Sequence, residues 1–129
     1  MFLKHVAIVC SSEKKSDKFY EYLLGLKKQD PKILPGALSR QIFNRVSEYK
    51  IINYTGNDTH FEIFIDDQLD PGSNDGKIEH FCIEVEGLEG FLEKCRALDV
   101  KILRIPKGDR LLTFIRDFDG NLFEITSKH

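Results

Sequence analysis

The chain has 129 residues, 41% hydrophobic and 31% charged, which is enough material and an ordinary composition for one water-soluble domain with a substantial core. A formal net charge of −2 argues against a general polyanion-binding surface and so against nucleic acid as a partner. No apolar run approaches membrane-spanning length, and the start Met1-Phe2-Leu3-Lys4-His5 lacks the apolar stretch of a secretory signal. Cys10, Cys82 and Cys95 are an odd number without a C-x-x-C pair. They predict free thiols in a reducing cytoplasm, with Cys10 and Cys82 packed as small apolar residues in their strands.

Met1 to Cys10 alternates and is rich in β-branched residues, which predicts a strand. Ser11-Ser12-Glu13 breaks it. Ser16 reads as the N-cap of a helix in which Phe19, Tyr20, Leu23 and Leu24 recur at helical spacing until Gly25 closes it. From Lys27 to Asn44 the pattern is irregular: a short helix carrying Leu38, Ile42 and Phe43 follows Pro35, with a loop or a weak strand before it. Strands are predicted at Glu48 to Tyr54 and His60 to Asp66, with the turn Gly56-Asn57-Asp58 between. A turn-rich linker, Asp70-Pro71-Gly72-Ser73-Asn74-Asp75-Gly76, ends the first half.

The second half repeats the order. A strand from Lys77 to Glu86 leads to a helix from about Leu88 to Leu98, whose stripe is Leu88, Phe91, Leu92, Cys95 and Leu98. Strands follow at Lys101 to Ile105, Leu111 to Arg116 and Asn121 to Ser127. Lys107-Gly108-Asp109 and Asp117-Phe118-Asp119-Gly120 supply the turns. The sum is a βαβββ unit given twice, module one at about 1–69 and module two at about 77–129 of one domain spanning 1–129.

The repeat extends to chemistry. His5-Val6-Ala7-Ile8-Val9-Cys10 is echoed by His80-Phe81-Cys82-Ile83-Glu84-Val85, and Phe61-Glu62-Ile63-Phe64 by Phe123-Glu124-Ile125-Thr126. His5 to Glu62 is 57 positions and His80 to Glu124 is 44, a difference the irregular stretch around Pro31 to Asn44 absorbs. Strand parity puts Phe61, Ile63 and Ile65 opposite His60, Glu62, Phe64 and Asp66. It likewise separates Phe81, Ile83 and Val85 from His80, Cys82 and Glu84, and Phe123 and Ile125 from Glu124. At His5 the parity signal is weaker, because both faces of that strand are mostly apolar.

Any one of these polar residues alone reads as a solvated position on a sheet face. Two His and two Glu at equivalent places in two repeats point instead to metal ligands. Imidazole nitrogen and carboxylate oxygen suit zinc, nickel, cobalt, iron or manganese without selecting among them. His60, two positions before Glu62 on the same predicted face, is a spare ligand, a substrate contact or a turn-edge surface residue. Lys107, Arg110 and Arg116 lie near turns, as solvated charges or as contacts for an anionic substrate. His129 is terminal, and no phosphate-cradling loop is present.

The paired modules, the positions His5, Glu62, His80 and Glu124, and the stretch Arg116-Asp117-Phe118-Asp119-Gly120-Asn121-Leu122-Phe123-Glu124-Ile125 resemble the vicinal oxygen chelate superfamily. That group holds glyoxalase I, fosfomycin-resistance and bleomycin-resistance proteins, an epimerase and extradiol dioxygenases. Asp117-x-Asp119-Gly120-Asn121 followed by Glu124 is similar to its D-P-D-G-N-x-x-E ending, with Phe118 in place of proline. The resemblance covers essentially the whole chain. It implies an α+β fold in which two βαβββ modules form a cupped, curved mixed sheet with helices packed outside.

Glu62 tilts the resemblance toward bacterial-type glyoxalase I, which uses a His, Glu, His, Glu quartet. The implied cofactor is one divalent metal ion per site held by His5, Glu62, His80 and Glu124. The implied chemistry is lyase or isomerase action on a small 2-oxo compound, or on its hemithioacetal with a thiol cosubstrate, through a metal-stabilised enediolate. Glu62 or Glu124 serves as the proton carrier. A fosfomycin-type thiol transferase, an epimerase and a non-catalytic small-ligand binder are the alternatives. Ile63-Phe64-Ile65-Asp66 after Glu62 departs from the glyoxalase I pattern, so no glutathione-binding residue carries over. The resemblance also implies a homodimer, with metal sites formed within one chain or across two.

Overall fold

The computed structural model describes residues 4–43, 48–70 and 80–127. Expectations resting on Met1, Phe2 and Leu3, on Asn44, on positions 71–79 with most of the linker and the start of the next strand, and on His129 lie outside the described residues. The chain divides into two compact units, Met1–Asp70 and Pro71–His129.

The first unit runs β1 (Val6–Cys10), α1 (Glu13–Ser16) continuing as a π-helical segment (Asp17–Leu23), β2 (Lys27–Lys28), β3 (Lys32–Leu34), α2 (Gly36–Phe43), β4 (Tyr49–Gly56) and β5 (Thr59–Ile65). Its sheet has the order β1-β5-β4-β2, with β3 also on β4. The first strand lies parallel to the last and the remaining pairs are antiparallel. The irregular stretch thus resolves into two short strands and a helix, and α2 has no counterpart among the described residues of the second unit.

The first helix begins earlier than its sequence suggests. Ser12, not Ser16, is the N-cap, its hydroxyl accepting from the Lys15 amide at 3.2 Å, and Ser16 is buried inside the helix. Both are residue types that can cap, but only Ser12 makes the bond. Ser12 wins because it stands at the strand's end in extended backbone, as an N-cap must. Gly25, at φ 74°, closes the helix in the left-handed region that glycine enters at little cost.

Helix and sheet meet through aromatic rings. Phe19 and Tyr20 are fully buried, and the Tyr20 ring lies 5.5 Å from Tyr54 and 5.4 Å from Phe61. Phe61 and Ile63 face this packing, as strand parity predicts, while His60 and Glu62 stay partly exposed. A polar clamp lies beside it. Lys28 Nζ donates to Glu13 at 2.8 Å and to Asp17 at 2.9 Å. Tyr54 Oη donates to Asp17 at 2.8 Å, and Lys50 also pairs with Glu13. The start of the helix is therefore tied to β2 and β4 by charge as well as by rings.

The second unit runs β6 (Phe81–Val85), α3 (Leu88–Ala97), β7 (Lys101–Lys107), β8 (Arg110–Arg116) and β9 (Leu122–Ser127) in the order β6-β9-β8-β7. Again the first strand is parallel to the last. Leu92, Cys95, Phe123 and Ile125 are buried, and the Phe81 and Phe123 rings lie 5.3 Å apart. All three cysteines are free thiols, but Cys82 is exposed, which corrects its expected burial. It shares the polar side of β6 with Glu84, so its apolar flanks in sequence belong to the opposite face. The fold is α+β, with one mixed sheet in each unit.

Candidate metal centre

Register places the four expected ligands. In the first unit Val6 pairs with Phe61 and Ala7 with Glu62, so His5, one residue before β1, lies diagonal to Glu62. In the second unit Phe81 pairs with Phe123 and Cys82 with Glu124, so His80, one residue before β6, lies diagonal to Glu124. The two half-sites have the same register. Each His stands at the mouth of its first strand and each Glu on the neighbouring last strand, on the same side of the sheet.

The first half-site is already drawn together. His5 Nε2 lies 4.0 Å from Glu62 Oε1, with side chains 37% and 24% exposed. That contact settles the face of His5, which parity left open. Two donor atoms that share a cation at about 2.0–2.2 Å each lie no more than about 4.4 Å apart, so this pair is within chelating reach. His60 sits beside them, its ring 5.3 Å from that of His5. Its Nε2 lies at hydrogen-bonding distance, 2.6 Å, from Oδ1 of buried Asn53, and Asn53 is the register partner of Glu62 on β4.

These residues line an open cleft of about 620 Å³, together with Lys4, Gln29, Asp30, Lys32 and Thr55. No lining residue is apolar. Gln29 Nε2 donates to Thr55 Oγ1 at 3.1 Å, so the floor is a belt of directional hydrogen-bonding groups.

The second half-site has a different floor. Phe114 takes the place beside Glu124 that Asn53 takes beside Glu62, and the His80 ring meets Phe114 edge-on at 6.4 Å. A smaller pocket of about 200 Å³ adjoins it, lined by Ile102, Leu103, Phe114, Ile115 and Leu122 with Lys101 and Arg116. Cys82, across from Glu124, has its thiol pKa pushed up by partial desolvation and then by that carboxylate.

Glu124 is held in register by the turn before it. One carboxylate oxygen of Asp117 accepts from the amides of Asp119 at 3.0 Å and Asn121 at 2.8 Å, and the other accepts from the Asn121 side chain at 2.7 Å. Gly120, at φ 86°, takes the left-handed corner. The Arg116 guanidinium donates to the Gly120 carbonyl at 2.8 Å, so this cation braces the turn. Lys107 and Arg110 stay exposed at their turn.

Asn53, Gln29, Thr55, Lys4 and Lys32 are cleft residues that the sequence reading did not single out. For Asn53 a signal existed: Gly56 pairs with Thr59 across a two-residue turn, and counting back from that turn places Asn53 opposite Glu62. Donor chemistry, shared face and separation all fit a divalent cation in the first half-site. The same donor pair and register recur in the second.

Two related units, each with its first strand parallel to its last and a register-matched His and Glu, define the class. The model of the Glyoxalase/Bleomycin resistance protein/Dioxygenase superfamily matches residues 2–125, and the chain belongs to that family. Among solved structures it is similar to a glyoxalase family protein from Enterococcus faecalis, at 21% identity and TM-score 0.71 over 95% of this chain and 94% of that one. It is also similar to a glyoxalase family protein from Bacillus cereus, at 16% identity and TM-score 0.72 over 98% and 93%. A third is a mutant of the genomically encoded fosfomycin resistance protein FosX from Listeria monocytogenes, complexed with Mn(II) and 1S,2S-dihydroxypropylphosphonic acid. That match has 17% identity and TM-score 0.70 over 98% and 92%. At these identities the likeness is one of fold. No curated protein sequence matches the chain.

Proposed function

We propose that this chain is a metal-dependent enzyme of the glyoxalase type, a lyase or isomerase acting on a small 2-oxo compound or its hemithioacetal with a thiol. The observation that carries this reading is the register identity of His5 with His80 and of Glu62 with Glu124. These four residues would hold one divalent ion of the nickel, zinc, cobalt, manganese or iron group. Such an ion, when bound, supplies Lewis acidity toward a carbonyl oxygen.

The chain's own groups do the rest. A carboxylate, that of Glu62 or Glu124, takes the proton from the carbon beside the carbonyl and delivers it to the neighbouring carbon. Gln29, Asn53, Thr55 and His60 offer hydrogen bonds to the polar end of a small substrate. Lys4 and Lys32 favour one that carries negative charge. Leu103, Phe114 and Leu122 offer an apolar seat in the second unit. The working protein is proposed as a cytoplasmic homodimer in which residues 1–129 act as one domain.

A second reading is group transfer or related chemistry on a small phosphonate of the kind bound in the FosX complex. The cleft lysines favour it. Metal-loaded protein assayed with methylglyoxal plus several thiols, and separately with fosfomycin, separates the two. Loss of methylglyoxal with formation of a thioester supports the glyoxalase reading. If no thiol adduct turns over while metal is bound, that reading is wrong.

A further inference from the structure

One face of the second sheet carries two adjacent rows of side chains, of which the metal reading uses only Glu124. Leu103, Phe114 and Glu124 are successive register partners across β7, β8 and β9, and Lys101, Arg116 and Leu122 form the next row. Residues two apart along a strand share a face, so both rows lie on one side of the sheet. All but Glu124 line the pocket of about 200 Å³.

The pocket is chemically divided. Leu103, Phe114 and Leu122 give it an apolar floor, and Leu103 is left 47% exposed. Lys101 and Arg116 stand directly opposite each other on neighbouring strands, an arrangement of like charges that destabilises a sheet. Neither is paired with a carboxylate among the described residues. Arg116 donates one N–H to the Gly120 carbonyl at 2.8 Å, which fixes its guanidinium beside the pocket. Its other N–H groups are not engaged by the described residues.

The strand pattern alone does not impose this combination. At the matching register positions of the first unit stand Asn53 for Phe114, His60 for Leu122 and Thr55 for Arg116. Where Lys101 faces Arg116, Lys27 faces the neutral Thr55. The repeat keeps the histidine and the glutamate and changes what surrounds them.

We propose that this pocket is a specificity subsite for a small organic acid whose body is an aromatic ring or a branched chain. The carboxylate lies between Lys101 and Arg116 and relieves their repulsion, while the body covers Leu103, Phe114 and Leu122. At about 200 Å³ the pocket is smaller than the roughly 300–1,000 Å³ of drug-sized sites, so a single ring or branch fills it. Calling this acid a substrate rests on the proposed function, through the neighbouring Glu124. The binding itself needs no metal.

Titration of the chelator-treated full-length chain with sodium benzoate, followed by ligand-observed NMR, tests the proposal. Removing metal first leaves the carboxylate no ion to coordinate. Acetate lacks the body and benzyl alcohol lacks the charge, and each is expected to bind about tenfold or more weakly than benzoate. Lys101→Glu is expected to weaken benzoate about tenfold or more, and Leu103→Gln about threefold or more. Circular dichroism checks folding, and Lys101→Gln and Leu103→Ala are the milder variants should either fail to fold. Benzoate that binds no more tightly than acetate overturns the proposal. So does binding unchanged within about twofold in the folded Lys101 and Leu103 variants, the result for a ligand held in the first unit's cleft. Both outcomes leave the metal-dependent reading standing. A chain that takes up no metal overturns the acid's role as substrate instead, whatever its affinity for benzoate.

Discussion

Glu62 and Glu124 hold equivalent positions but keep different company, Asn53 for one and Phe114 for the other. If a carboxylate carries the proton, its acid–base contribution is of the order of 100-fold or more. At least one of Glu62→Gln and Glu124→Gln is expected to lose about that much in kcat while still holding metal. Steady-state kinetics alongside elemental analysis reads both quantities, and full turnover in both variants would remove the carboxylates from the chemistry. A second residue-scale expectation concerns Tyr54, whose hydroxyl donates to Asp17 at 2.8 Å. Burial, and then the bond to Asp17, push its pKa well above the usual tyrosine value, so it stays a donor throughout the working range. Tyr54→Phe is expected to cost about 1.5–3 kcal/mol in urea unfolding, the worth of a hydrogen bond to a charged group.

At the scale of elements, the clamp between the first helix and the sheet makes stability depend on pH. Hydrogen bonds from Lys28 and then Lys50 hold the Glu13 carboxyl below its ordinary value of 4.5. Its contribution is thus complete above the unfolded-state pKa and is lost as pH falls through the lower folded value. For Lys28, partial burial opposes the charge, but the bonds to Glu13 and Asp17 prevail and raise its pKa above 10.5. Its contribution is lost only as pH rises through that raised value. Glu13→Gln is expected to cost about 1 kcal/mol at neutral pH and progressively less below about pH 4.5, by urea unfolding across the pH range. A loss that persists at low pH would remove charge as the cause. The turn at Asp117 is a second device of this scale. Asp117→Ala strands the Asp119 and Asn121 amides and should cost more than about 2 kcal/mol while disturbing the register of Glu124.

For the whole molecule, most of the plan is legible in the sequence because it is periodic. Alternation marks Phe61 and Ile63 against Glu62, the helical stripe marks Phe19, Tyr20 and Leu23, and Gly25 and Gly120 mark ends and corners. What stays hidden depends on partners across strands. The pairing of Asn53 with Glu62 and the support of His60 by Asn53 need a register, and no single strand's pattern contains one. Ser12 and Ser16 both suit a cap, and only the extended backbone at Ser12 decides between them. Cys82 is exposed, against the burial its strand suggests, because its apolar sequence neighbours point to the other face. The polar floor of the first unit and the apolar floor of the second likewise emerge only once Gln29, Thr55, Leu103 and Leu122 are brought beside each repeat's own His and Glu. Everything proposed about chemistry depends on a bound ion. The most direct measurement is elemental analysis of the protein purified without added metal. The account predicts close to one transition-metal ion per site, whereas protein that is empty and cannot be loaded with nickel, zinc, cobalt, manganese or iron would contradict it.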